Sequence, residues 1–143
     1  MTINGNIASE IMTTLTSQGQ FADLTFVIAY ENDIKPVPLD KPIVALSTKG
    51  CQVGPKLTET LETGQIVSTD KRELDTTMSL DIYMPYSAGG MQAHKIFDRI
   101  ATYLLFDKKL DITKSVCYET ECDKSCQAIV LKSHFVFHNI VSA

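Results

Sequence analysis

The sequence of residues 73–106 is ELDTTMSLDIYMPYSAGGMQAHKIFDRIATYLLF. Up to Pro85 the side chains alternate between mostly apolar and mostly polar, which is the period of a strand with one buried face. The positions expected on the buried face are Leu74, Thr76, Met78, Leu80, Ile82 and Met84. The positions expected on the polar face are Asp75, Thr77, Ser79, Asp81 and Tyr83. The pattern therefore predicts a long, half-buried strand that ends at Pro85.

The residues after this strand change to the spacing of a helix. Pro85 has no backbone N–H to donate, and residues 86–90 have the composition of a turn. From Met91 onward, one helical face carries Ala93, Ile96, Phe97, Ile100, Tyr103 and Leu104. Because the turn is short, the strand face and the helix stripe can shield each other from water, and we expect them to form the core. Lys108 and Lys109 are expected at the C-terminal end of the helix, where cations complement exposed carbonyls.

The composition is that of a single globular domain over residues 1–143. The chain is 44% hydrophobic and 21% charged, with a net charge of −4, so we expect neither sequence-specific nucleic-acid binding nor membrane binding. No segment approaches the roughly 18 apolar residues that span a bilayer, and the N-terminus lacks the pattern of a signal peptide. We expect a protein made in the cytosol, with its four cysteines as thiols.

The N-terminal half of the chain predicts one more helix and two strands. Isoleucine or leucine recurs every four residues from Ile3 to Leu15, which predicts an amphipathic helix over residues 3–18. Residues 24–30 are rich in β-branched and aromatic side chains and predict a strand. After a loop at 34–41, a second strand is expected from Ile43 to Val53, bent or bulged near its glycines.

The last two extended runs, residues 116–121 and 127–138, predict a C-terminal β-hairpin. In the second run the apolar side is Ile129, Leu131, Phe135 and Phe137. The other side is Ala128, Val130, Lys132, His134 and His138. Together the elements predict an α+β fold, a mostly antiparallel sheet packed on one face by two α-helices and completed by this hairpin.

Residues 56–70 have the weakest pattern in the chain. They are rich in threonine and poor in large apolar side chains, which is compatible with a long hairpin arm or with a mobile loop. The segment is either a solvated connection or a segment that orders against a partner.

The cysteines and histidines near the C-terminus are the strongest candidates for chemistry. Cys117, Cys122, Cys126, His134 and His138 are residue types that bind zinc. The cysteine spacing lacks a close C-x2-C pair, however, and the two histidines would lie about 13 Å apart on a strand. A three-residue turn at 123–125 would place Cys122 opposite Cys126, close enough for a disulfide under oxidising conditions. We expect thiols, no bound metal and no cofactor.

The sequence also discloses no catalytic set. No local pattern brings a histidine to a cysteine, as a thiol nucleophile would require. Gly89 and Gly90 precede a helix but match no phosphate-binding motif. Asp75 and Asp81 are expected on a solvated strand face. We expect no enzyme activity.

In the order of its elements, the chain resembles the tail terminator family of long-tailed bacteriophages, including the lambda-type terminator and relatives in contractile phage-like particles. The matching features are the N-terminal helix, the strand Pro42-Ile43-Val44-Ala45-Leu46, the strand ending Leu80-Asp81-Ile82-Tyr83-Met84-Pro85, the helix from Met91 and the hairpin ending Phe135-Val136-Phe137. The resemblance covers almost the whole chain. The cysteines of the last hairpin and the threonine-rich segment belong to no pattern of that family.

The resemblance implies a non-catalytic virion protein, made in the host bacterial cytoplasm, that caps the tail tube as a hexameric ring. Its implied partners are other copies of itself, tail tube and sheath proteins, and a neck or connector protein. Another tail, connector or baseplate component remains an alternative, as does a small zinc-binding interaction module. The residues expected at interfaces are Lys56, Thr58, Glu59, Thr60, Glu62, Thr63, Lys71, Arg72, Asp123 and Lys124.

Overall fold

The computed structural model describes residues 7–28, 41–124 and 127–142. The elements are helix α1 (Ile7–Thr16), strands β1 (Thr25–Ile28), β2 (Ile43–Thr60) and β3 (Ile66–Pro85), helix α2 (Gly90–Thr102), and strands β4 (Ile112–Asp123) and β5 (Ala128–Val141). They confirm the predicted α+β class and the C-terminal hairpin. The predicted start of α1 at residues 3–6, the end of β1 at 29–30 and the loop at 34–40 lie outside the described residues.

The strands of the described residues form one five-stranded sheet in the order β1-β2-β3-β5-β4. The short strand β1 runs parallel to β2, whereas the other three pairings are antiparallel. β3 lies at the centre, hydrogen-bonded to β2 on one side and to β5 on the other. The long strand that the sequence predicts most clearly is therefore the middle of the sheet.

The main core lies between one face of the sheet and the two helices. Leu80 and Ile82 of β3 and Ile100 of α2 are each 0% exposed, and all belong to the same cluster. Burying a side chain of this size stabilises the fold by about 1.5–3 kcal/mol. The predicted strand face and helix stripe are buried throughout, so the predicted core is confirmed.

A second, smaller cluster lies on the opposite face of the sheet, near the Pro85 end of β3. It consists of Ile43, Ala45, Tyr83, Ala128 and Val130. The assignment of Tyr83 to a polar face was wrong, because it packs with Val130 and Ala128, which the sequence places on the side of β5 opposite its main apolar run. Only the more distal part of this face, from Asp81 toward Asp75, is the polar surface that the sequence predicts.

α2 gives way to a π-helical turn, Tyr103–Asp107, before the chain leaves the helix. The predicted helix end near Lys108 is therefore confirmed. After α1 the chain forms a 3-10 turn, Gly19–Phe21. Arg99 joins α2 to this region, because its guanidinium lies 3.2 Å from the Asp23 carboxylate and 5.5 Å from the centroid of the Phe21 ring. The hydrogen bond from Arg99 lowers the pKa of Asp23.

Candidate interaction surface

The β2–β3 hairpin extends well beyond the rest of the sheet. β5 accompanies β3 only as far as the pair Arg72–Val141, and beyond it β2 and β3 pair only with each other. We call residues 56–72 the arm. From the pair Lys56–Arg72 to the pair Thr60–Ile66, the arm is about 20 Å long at the rise of a β-strand. Of the two structures that the sequence allows for residues 56–70, the hairpin is the observed one.

Three irregularities and a glycine turn shape the hairpin. The β2–β3 register shifts between Thr48 and Gly50 and between Val53 and Lys56, which confirms the bulges predicted near the two glycines. It shifts once more between Lys56 and Thr58, since β2 continues past the predicted end at Val53. The turn is closed by hydrogen bonds from Leu61 N to Gln65 O and from Gly64 N to Leu61 O, both 2.8 Å. Gly64 has φ +86°, a conformation that glycine adopts without strain.

The arm carries eight of the predicted interface residues. Lys56, Thr58, Glu59 and Thr60 lie on β2, Glu62 and Thr63 in the turn, and Lys71 and Arg72 on β3. All are exposed except Arg72, which is half-buried. No residue of the arm belongs to either apolar cluster of the described residues. The arm is therefore a surface projection with no core of its own.

Apart from the backbone ladder, the arm is held by few hydrogen bonds from side chains. Thr69 Oγ1 donates to Leu57 O over 2.9 Å, and Arg72 donates to Gly54 O over 3.0 Å. The guanidinium of Arg72 on β3 thus connects to the irregular segment of β2 at the base of the arm. The exposed fraction is 40% for Leu61 and 68% for Ile66, so both present apolar surface near the tip.

The other two predicted interface residues lie at the far end of the sheet. Asp123 ends β4 opposite Ala128, Lys124 follows it, and Ala128 is in turn opposite Pro85 of β3. Since β3 has 20 residues, up to about 60 Å separates the two ends. The structure therefore does not bring the ten predicted residues together, and it gives the chain two separate candidate surfaces.

The sheet face opposite the helices contains an open groove that the sequence reasoning missed. Its volume is about 520 Å³. It crosses four strands, with Lys49 on β2, Thr77, Ser79 and Asp81 on β3, Lys132, His134 and Val136 on β5, and Lys114 and Tyr118 on β4. The alternation in residues 114–118 and 132–136 was the available signal, but it does not reveal which strands become neighbours.

Two side-chain pairs hold part of the groove in place. The Tyr118 hydroxyl and His134 Nδ1 are 3.1 Å apart, and Lys132 Nζ lies 3.7 Å from a carboxylate oxygen of Glu121. The side chains of Lys49 and Lys114 make no hydrogen bond or ion pair with the residues that the structure describes. Their ammonium groups remain available to an anionic partner.

The candidate zinc ligands that the structure describes do not converge. Cys117 and Cys122 are exposed on β4, and His134 and His138 are engaged by Tyr118 and Asp75. Within the described ranges, no three cysteine, histidine or acidic side chains are grouped so that they could hold a metal ion. Cys126 lies outside those ranges.

The predicted register of the last hairpin was wrong. Cys122 is opposite Ile129, and the strands close with Asp123 opposite Ala128. The connection between Asp123 and Ala128 is therefore longer than the three-residue turn expected from residues 123–125.

A charged cluster at the other end of β5 surrounds His138. Its Nδ1 lies 2.8 Å from Asp75 Oδ1, and its Nε2 lies 4.0 Å from Glu73 Oε1. The hydrogen bond with Asp75 raises the pKa of His138, and the nearby carboxylates of Asp75, Asp111 and Glu73 act in the same direction. The hydrogen bond between His138 and Asp75 therefore links β3 and β5 near the base of the arm.

None of the helices in the described ranges has the length and apolar composition needed to cross a bilayer. The sequence matches no model of a known protein family and no curated protein. The arm, the β4–β5 turn and the groove are the candidate interaction surfaces of the described residues.

Proposed function

We propose that the chain is a structural protein of a bacteriophage or phage-tail-like particle. In this proposal, six copies form a ring on the end of the tail tube, stop tail polymerisation and offer a surface to the neck or head connector. The order of helices and strands supports the family resemblance on which the proposal is based. The observation that carries it furthest is the arm.

The arm is a poor element for a protein that works alone. A two-stranded hairpin without a third strand or a packed face is only marginally stable in water. Here the described residues of the arm contact no core cluster, while Leu61 and Ile66 expose apolar surface at its tip. Packing against another subunit would bury that surface and order the arm, which suits an assembly component.

The separation of the two candidate surfaces suits a ring. When one patch of a subunit contacts a different patch of the next, repetition of the contact produces a ring if the rotation closes. The arm and the β4–β5 turn lie at opposite ends of β3, so one subunit can engage two partners at once. In the proposed ring, such partners are the neighbouring subunits, the tail tube or the connector.

A ring that forms only on the tail is compatible with a monomer in dilute solution. Association loses translational and rotational freedom at an estimated cost of about 4–15 kcal/mol. The tail tube would reduce this cost by holding several subunits side by side. The proposal therefore concerns the assembled particle and does not require a stable free hexamer.

The test uses the phage or prophage that encodes the chain. Its gene is deleted and complemented with the wild-type chain or with an arm-excised variant, in which residues 57–70 are replaced by Asn-Gly. This leaves Lys56 and Arg72 opposite each other across a three-residue loop, a common hairpin length. A Met91→Ala variant, altered at a side chain that is 72% exposed on α2, is the matched control.

We expect the wild-type and control chains to restore tails of uniform length joined to heads, and the arm-excised variant to fail. Electron microscopy of labelled particles should place the chain at the head-proximal end of the tail. Normal tails joined to heads in the deletion strain would refute the proposal. Label at the baseplate end or in the connector would favour the alternative, another structural component of the particle.

A further inference from the structure

The groove on the helix-free face of the sheet carries an excess of positive charge. Lys49, Lys114 and Lys132 line it together with one aspartate, Asp81. Lys132 is paired with Glu121 at 3.7 Å, which leaves the ammonium groups of Lys49 and Lys114 on the two outer sides. In a chain whose net charge is −4, this local excess indicates a surface for an acidic partner.

The tip of the arm has the complementary character. Residues 57–69 include Glu59 and Glu62 but no lysine or arginine. The same segment exposes Leu61 and Ile66. The groove in turn includes Tyr118 and Val136, which offer apolar surface between the lysines. Both the charges and the apolar side chains of the tip therefore find counterparts in the groove.

The dimensions of the two surfaces also match. β2 and β4 are separated by three strand spacings, so about 14 Å lies between the backbones that carry Lys49 and Lys114. The two strands of the arm are about 5 Å apart, and stacked sheets pack about 10 Å from each other. A hairpin tip can therefore lie on the groove, with a glutamate near each outer lysine.

The arm of the same molecule cannot occupy this groove. Thr77 in the groove and Ile66 at the tip belong to the same strand, β3, and are about 36 Å apart along it. The intervening residues are held in register by β2. Folding the tip back would break that ladder, so the occupant has to come from another copy.

We propose that the groove of one copy binds the arm tip of a second copy, with Glu59 and Glu62 facing Lys49 and Lys114. The inference deepens the proposed function, on which it rests, because it names the two unlike surfaces that join neighbouring subunits. Each copy has one arm and one groove, so the contact propagates in one direction and closes into a ring if the rotation permits.

The direct test places a photo-activated cross-linker in the full chain. Leu61 is replaced by benzoylphenylalanine, and equal amounts of isotope-labelled and unlabelled protein are mixed at high concentration and irradiated. Peptide mass spectrometry then identifies cross-links between copies. We expect them in residues 77–81, 114–118 and 132–136. The same cross-linker at Met91, on a different surface, should give none there.

Charge reversal tests the chemistry of the contact. Replacing Glu59 and Glu62 by Lys should lower the yield of these cross-links at least about tenfold, because like charges then face each other. Adding Lys49→Glu and Lys114→Glu in the same chain should restore the yield. All four positions are exposed, and melting curves of the variants verify that the fold is retained.

The inference is overturned if Leu61 cross-links to another surface, or if it gives no link between copies either at high concentration or in purified particles. It is also overturned if neither the Glu→Lys replacements nor the added Lys→Glu replacements change the yield. These outcomes are distinct from failure of the proposed function. Tails of normal length without the protein would refute tail termination even if the arm cross-links to the groove. Conversely, a terminator whose arm binds elsewhere would fail only the cross-linking test.

Discussion

Excision of the arm should leave the stability of the isolated chain nearly unchanged. In the arm-excised variant, residues 57–70 are replaced by Asn-Gly. Of these fourteen residues only Leu57, Val67 and Thr69 are half-buried, and the others are exposed. None of them packs in either apolar cluster of the described residues.

The expected magnitude follows from two opposing terms. Half-burial of Leu57 and Val67 contributes about 1.5–3 kcal/mol in total at the usual value per aliphatic side chain. Ordering each backbone residue costs about 1–2 kcal/mol, which the ladder of a two-stranded hairpin barely offsets. We therefore expect the free energy of unfolding to change by no more than about 1 kcal/mol, or about 4 °C in Tm.

The assay is urea unfolding followed by far-UV circular dichroism, since the chain contains no tryptophan. Hydrogen exchange provides an independent measurement: amides of Thr58–Thr60 should exchange by local opening, far faster than those of Leu80–Ile82. A loss above about 2 kcal/mol, or equal protection in both segments, would show that the arm is part of the folding unit.

Three more predictions concern the body of the fold. Ile100→Ala should lower the free energy of unfolding by about 2–5 kcal/mol in urea titrations because it leaves a cavity in the core, whereas Met91→Ala on the same helix should change it little. Asp75→Asn removes the ion pair with His138, and it should lower Tm most below pH 6.5, the ordinary His138 pKa, where the pair contributes fully. The difference in Tm from the wild-type chain should shrink as pH rises through the raised pKa of His138. A difference that is constant from about pH 5 to 9 would contradict this. Arg99→Lys retains the positive charge but loses the bidentate pairing with the exposed Asp23 carboxylate. It should lower the free energy of unfolding by about 0.5–1 kcal/mol in the same urea titration.

The centre of the fold could be predicted because two amphipathic elements follow each other directly. The period of two from Leu74 to Met84 and the helical period from Ala93 to Leu104 each define one face, and the short turn requires the faces to meet. The structure of the arm could not be predicted in the same way. Residues 56–70 have no apolar face, so their pairing depends on the register that β2 and β3 bring from the core.

The remaining errors and omissions come from contacts between strands that are distant in sequence. In the sequence, Tyr83 and Val130 alternate with the residues of the main apolar face. They nevertheless become neighbours across β3 and β5 and are buried together on the opposite face. Likewise, Lys49 and Lys114 form one groove only because β5 inserts between β3 and β4. Strand order is set by the packing of the whole sheet. The local alternation of apolar and polar residues specifies which face of a strand is buried but not which strands become its neighbours.

The continuity of β3 from the arm tip to the core also decides how the protein responds to a force applied to the arm. Between Arg72 and Tyr83, β3 is bonded to a neighbour on each side, and these hydrogen bonds lie perpendicular to the strands. A pull on the arm along its axis therefore shears many bonds at once and does not open them one by one. A force applied to the arm would therefore be distributed over the hydrogen bonds of the whole central sheet, and the protein would resist extension along β3.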